Sequence, residues 1–151
     1  MRLTLAIFAI ALLGSAFILD TTPSAEAAAK GGDGIEFFHG SWEEAKAKAK
    51  AENKPIFVDV YTTWCGPCKM MSRYTFTDAD VASYYNENFI CVKSDAEHGE
   101  GVSIARKYKV RAYPTLLYVD NEGTVLLKTE GARSAEAFVQ LGKKAMAKVG
   151  K

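Results

Sequence analysis

The sequence predicts an α/β domain, a central mixed β-sheet with helices on both faces. Three observations carry this. Strand-like and helix-like segments follow one another as β-α-β-α-β-α-β-β-α, the order of crossover units ending in one hairpin. Residues 56–61, I-F-V-D-V-Y, are apolar on both faces except for Asp59, as in a strand covered by helices on either side. The turn Asn121-Glu122-Gly123 lies between two short apolar segments and folds the second back on the first. With 151 residues there is room for one domain and a short appendage.

Each element has its own signal. Residues 35–38 are a short apolar run expected as the first strand. Ser41-Trp42-Glu43-Glu44 fits a capping box, in which the serine hydroxyl and the Glu44 carboxylate satisfy each other's backbone N–H groups, so a helix should start there. Its body, A-K-A-K-A-K-A, alternates with a period of two. Propensity overrules that period, because Ala and Lys favour helices and are depleted in strands. Residues 56–61 form the buried strand. Helix is then expected over 68–75 and 78–87, with Thr77 or Asp78 as the cap between them. Strand is expected over 89–93, helix over 102–108, strand over 115–119 after Pro114, strand over 124–128 after the turn, and helix over 134–149.

The first 27 residues are expected to lie outside the domain. After Met1-Arg2, residues 3–19 carry no charge, and Ala25-Glu26-Ala27 supplies an A-x-A site of the kind a signal peptidase cuts. The apolar run is longer than the usual core of an export signal and approaches a membrane span, so an uncleaved N-terminal anchor is the competing reading. Gly14, Ser15 and the A-x-A site favour cleavage after Ala27. Residues 28–34 then form a flexible leader, and 35–149 the domain. An exported protein, most simply in the bacterial periplasm, is implied. The 19 basic and 18 acidic residues are scattered rather than blocked, which excludes the electrostatic footprint of a nucleic-acid binder.

Three cysteines are present, and two of them flank a Gly-Pro pair in W-C-G-P-C-K, residues 64–69. If a strand ends near Tyr61 and a helix holds Cys68, Cys65 sits at the helix N-terminus and Cys68 one turn on, on the same side, so the sulfurs can bond. Unpaired backbone N–H groups and the helix dipole favour a thiolate at Cys65, which makes it the expected nucleophile and Cys68 the resolving thiol. Pro67 suits the first turn, where its missing N–H costs nothing. A pKa lowered from about 8.5 to about 7 raises the thiolate fraction about 16-fold, and a Brønsted slope of about 0.45 takes back about 5-fold. The net gain in attack rate is small, so the motif leaves the direction of electron flow open.

Asp59 is the second candidate. A carboxylate buried in that apolar strand should be driven toward neutrality and could accept the proton of Cys68. The competing reading is an aspartate at a strand end facing water. A structural zinc site needs four ligands, and Cys91, His39 and His98 form no second pair with ligand spacing. Cys91, in F-I-C-V-K, is expected to be a buried, inert thiol, and both histidines to face solvent.

With these residues in view, the chain resembles the thioredoxin family over 35–149. W-C-G-P-C-K is similar to that family's reducing-type active site, and Asp59 to its buried aspartate. Tyr113-Pro114-Thr115 resembles its cis-proline segment, Gly131-Ala132 its groove glycine, and Lys93 the lysine near the aspartate. The resemblance implies a thiol:disulfide oxidoreductase with catalytic Cys65, Cys68 and Asp59. Trp64, Gly66, Pro67 and Lys93 would support the site, and Trp64, Tyr113, Pro114 and Gly131 would bind substrate. It implies no bound cofactor and no metal. Tyr61 stands where a tryptophan is common, and Tyr113 where a smaller aliphatic residue is usual. The stretch R-Y-T-F-T-D-A-D-V is similar to the periplasmic C-terminal domain of the transmembrane thiol:disulfide interchange protein. The expected partners are exported proteins with disulfides and a membrane-borne electron donor, with the protein itself a monomer. Net oxidase or isomerase activity, or a non-catalytic partner-binding module, are the competing functions.

Overall fold

A computed structural model describes residues 34–150. The export signal expected over 1–27, and all but the last residue of the leader, lie outside the described residues. Among the described residues five α-helices and four strands follow in the order α1 (Trp42–Glu52), β1 (Ile56–Tyr61), α2 (Gly66–Met70), a π-turn (Met71–Thr75), α3 (Ala79–Asn88), β2 (Ile90–Asp95), α4 (Glu100–Lys107), β3 (Thr115–Val119), β4 (Val125–Glu130) and α5 (Ala135–Met146).

The sheet runs β2-β1-β3-β4. β1 pairs with β2 in parallel and with β3 antiparallel, and β4 continues antiparallel from β3, so the sheet is mixed. Alternation along β1 sorts its side chains. Ile56, Val58 and Val60 join Trp42, Ala45 and Ala49 of α1 and Ile104 of α4 in one apolar cluster. Phe57 turns the other way, among Met71, Val81, Tyr85 and Phe138 from the elements on the opposite face. Asp59 shares the parity of Phe57, so the period-two pleat puts its carboxylate on the α2, α3 and α5 face.

Residues 35–38 are not a strand. Only an isolated bridge joins Phe37 to Cys91. The backbone donors of this segment go to three different elements: Ile35 N–H to the Phe76 carbonyl at 2.8 Å, Glu36 N–H to Asn86 Oδ1 at 2.9 Å, and Phe38 N–H to the Cys91 carbonyl at 2.7 Å. A chain whose donors are so divided forms no ladder.

The capping box at Ser41 and Glu44 is present as expected. The helix after the cysteine turn differs from its expected 68–75. It starts at Gly66, with Cys65 extended at the N-cap and Pro67 in the first turn, and from Met71 it widens into the π-turn. Asp78 caps α3 by accepting from the N–H groups of Asp80 and Val81. α4 begins two residues before its expected start, and its Gly101 packs directly on the Asp95 backbone, where any Cβ would collide.

Candidate active site

The site grows from the end of β1. The Thr62 carbonyl accepts from Cys65 N–H at 3.3 Å, which closes the turn before α2. At the N-cap, Cys65 Sγ accepts from Cys68 N–H at 3.2 Å, so the sulfur takes one of the donors a helix start leaves unpaired. Cys65 and Cys68 form a disulfide, their Cα atoms 5.3 Å apart. Both are 3% exposed, whereas Gly66 and Pro67 between them face solvent. An open surface around Gly66 leaves the backbone of the turn free to approach another chain.

Trp64 stands beside the disulfide, 64% exposed. Its indole Nε1 donates to both carboxylate oxygens of Glu97 at 3.1 Å, and its ring meets Tyr113 edge-on with centroids 6.0 Å apart. The Trp64–Tyr113 contact joins the cysteine turn to the proline segment across the sequence. Glu97 was missed by sequence reasoning, since it lies in the polar loop D-A-E-H, where nothing separates it from any other surface acid.

Asp59 is 1% exposed and is the register partner of Lys93 on β2. Lys93 Nζ lies 3.5 Å from Asp59 Oδ2, an ion-pair contact, yet neither carboxylate oxygen has a hydrogen bond. Burial pushes the Asp59 carboxyl up to about 6, and the Lys93 charge offsets only part of that. The ammonium donates to Ser72 Oγ at 2.7 Å and sits over the rings of Tyr61, Phe37 and Phe76 at 5.0, 5.3 and 5.5 Å. Cys68, Ser72, Tyr61 and Lys93 line one hollow of about 610 Å³.

On the other wall the Tyr113–Pro114 peptide bond is cis. The Pro114 carbonyl accepts from Gly131 N–H at 2.8 Å, with Gly131 at φ +88°, a conformation glycine adopts without penalty. Arg133 secures this loop, donating to the carbonyls of Gly131 and Ala132 and to Thr129 Oγ1, while Thr75 Oγ1 donates to the Arg133 carbonyl at 2.8 Å. The π-turn that follows the cysteines is thereby tied to the glycine loop. Thr75 and Arg133 carry no sequence signal of their own.

The remaining candidates fall elsewhere. Cys91 is buried on β2 opposite Phe57, and burial pushes its thiol well above the usual range, which suits an inert core residue. His39 and His98 are exposed, and His98 Nδ1 pairs with Asp95 Oδ2 at 2.9 Å.

Two neighbouring cysteines that close a disulfide at a helix N-cap, on a sheet of this order, make the molecule a thiol:disulfide oxidoreductase of the thioredoxin fold. The chain belongs to the thioredoxin-like domain family, whose family model matches residues 42–146. It is similar to the solution structure of a proposed disulphide-isomerase from Bacteroides thetaiotaomicron, with 45% identity and a TM-score of 0.68, covering 76% of this chain and 94% of that one. The oxidised C-terminal domain of DsbD from Neisseria meningitidis shares the fold at 23% identity and a TM-score of 0.58, covering 68% of this chain and 90% of that one. The thiol:disulfide interchange protein DsbD of Yersinia pestis is 31% identical over 96 residues, which cover 61% of this chain and 16% of the relative. The chain thus matches only a small part of that relative's length.

Proposed function

We propose that the protein is an exported reductant that passes electrons to disulfides of other exported proteins. The observation that carries this reading is the Cys65–Cys68 disulfide at the start of α2 with the buried Asp59 on the strand that leads into it. In the reduced protein the Cys65 thiolate attacks one sulfur of a partner disulfide. That S–S bond breaks, and the first partner sulfur leaves as a thiolate and takes a proton from solvent. Cys68 then gives its proton to the Asp59 carboxylate and attacks Cys65 Sγ. The mixed disulfide breaks, and the second partner sulfur leaves. The partner has gained two electrons, and Cys65 and Cys68 have lost them to form their own disulfide.

In this reading Trp64, Tyr113, Pro114 and Gly131 form the surface along which the partner chain lies, with Gly66 and Pro67 keeping the turn between the thiols narrow. Lys93 tunes Asp59. The apolar run of residues 3–19 supports export to the periplasm, followed by cleavage after Ala27, with a retained N-terminal anchor as the alternative. Resupply of electrons then falls to a membrane-borne donor, and the similarity to the interchange protein supports that role. A second reading, net isomerisation, is favoured by the 45% identity with the Bacteroides protein described as an isomerase.

The test is insulin reduction with dithiothreitol as electron source. Wild type should accelerate it, and Cys65→Ser should fall to the dithiothreitol background; equal rates would sink the mechanism. The reduction potential of the Cys65–Cys68 pair then separates the readings. A value well below the glutathione poise supports reductant, and one well above it supports oxidant or isomerase.

A further inference from the structure

The π-turn that continues α2 carries Ser72. Its defining bond runs from Phe76 N–H to the Met71 carbonyl, five residues back, at 2.9 Å. Met70 and Met71 keep ordinary helical angles, so Ser72 lies one helical turn after Cys68 on the same side, and π-turns inside helices recur at functional sites. Ser72 Oγ takes the Lys93 ammonium at 2.7 Å across 21 residues of sequence. The ammonium stops 3.5 Å from Asp59 Oδ2, although both oxygens of that carboxylate lack a hydrogen bond. A buried carboxylate is a stronger acceptor than a serine hydroxyl. Among the described residues the hydrogen bond of Lys93 Nζ goes to Ser72, the contact placed to hold the ammonium at this distance.

We propose that Ser72 is a positioning residue that holds the Lys93 ammonium on the wall of the hollow beside Cys68, short of a hydrogen bond to Asp59. Asp59 thereby remains a carboxylate with an unfilled acceptor, able to take the Cys68 proton. The inference rests on the reading of Asp59 as that acceptor. The charged and titratable groups around Asp59 are few. Lys93 faces it from β2 and Tyr61 from its own strand, Cys68 and Lys69 line the hollow from α2, and Arg73 lines it from the π-turn. The residue opposite Asp59 on β3 is Leu116, which carries no charge.

The experiment is an NMR titration of the Asp59 side-chain carbon in the reduced protein, run beside the pH profile of mixed-disulfide release. In Ser72→Ala the ammonium closes on the carboxylate, and the Asp59 midpoint should fall by about one pH unit, as expected when an opposite charge comes into hydrogen-bond contact. Ser72→Thr, which keeps the hydroxyl, should restore the wild-type midpoint. In a Lys93→Met background the Ser72→Ala change should move nothing, since the group being positioned is gone. A Ser72→Ala midpoint that stays or rises, or an equal shift in the Lys93→Met background, overturns the proposal. The release profile judges the underlying reading separately. If Asp59→Asn releases its partner as fast as wild type, Asp59 is not the acceptor, whatever the titration of Ser72→Ala shows.

Discussion

Asp59 and Lys93 face one another as register partners across the parallel β1–β2 pair, carboxylate and ammonium 3.5 Å apart without a hydrogen bond. The pairing is incomplete, so burial dominates. A carboxyl raised from its ordinary 3.8 to about 6 makes the folded protein bind a proton that the unfolded chain releases. Its contribution to stability is therefore fully present below about pH 4 and is lost as pH rises through about 6. The shift corresponds to about 3 kcal/mol. In the oxidised protein, Asp59→Asn should remove this dependence. The stability difference between variant and wild type should move in the variant's favour by roughly that amount between pH 4 and 8. Denaturant unfolding at the two pH values measures it, and a difference independent of pH would mean that Asp59 is not raised.

The two sulfurs should be separable by what accumulates. With Cys68→Ala, Cys65 can still attack a partner disulfide, but no second thiol stands one helical turn away to release it. The variant should hold insulin chains in a covalent adduct that survives denaturing gels and disappears on reduction. Wild type should show almost none, because the intramolecular thiol outcompetes any in solution. Failure of Cys68→Ala to form the adduct would place the attack on another residue.

Much of this architecture was legible because it rests on local chemistry. The capping box at Ser41, the two-faced apolar strand 56–61 and the turn at Asn121-Glu122-Gly123 each need only their own neighbours. Asp59 stood out for the same reason, as a charge in a strand with no wet face. What sequence could not supply was partnership at a distance. The donors of 35–38 looked like those of a strand because their division among Phe76, Asn86 and Cys91 is a property of the folded molecule. The π-turn has no propensity signature, and Ser72, Thr75, Glu97 and Arg133 reach the site through hydrogen bonds that join residues distant in sequence, so they stayed hidden among ordinary polar residues.

Beneath the site, Tyr85 and Tyr118 share a buried hydrogen bond of 2.6 Å, and Tyr85 Oη also donates to the Phe138 carbonyl at 2.7 Å. Tyr85 has one proton, which goes to the carbonyl, so Tyr118 donates to Tyr85. The two hydroxyls are then unequal. Tyr118→Phe removes a donor and leaves Tyr85 bonded. Tyr85→Phe strands the Tyr118 hydroxyl in the aromatic core and should cost about 1–3 kcal/mol, the more damaging of the two. Urea unfolding of both variants gives the order, and a reversed order would mean that Tyr85 Oη does not hold the Phe138 carbonyl and instead donates to Tyr118.

Gly131 is where stability and partner binding can be told apart. Its φ of +88° lies where an L side chain is strained, and its N–H must stay aimed at the Pro114 carbonyl 2.8 Å away. Space is not the obstacle, because a Cβ there would meet only Arg133 Nη1 at 3.4 Å. The cost of Gly131→Ala is therefore conformational, about 1–2 kcal/mol, and the loop can relieve it by turning the N–H away from Pro114. The cysteines lie on other elements, joined to this loop through Arg133 and Thr75 at the far end of the π-turn, and should register the change little. A small aromatic disulfide, which needs no groove, should then be reduced at the wild-type rate, whereas a protein disulfide laid along Tyr113 and Gly131 should show a raised KM. Equal losses with both substrates would mean that Gly131 acts on the Cys65–Cys68 turn itself and not on the surface that receives the partner.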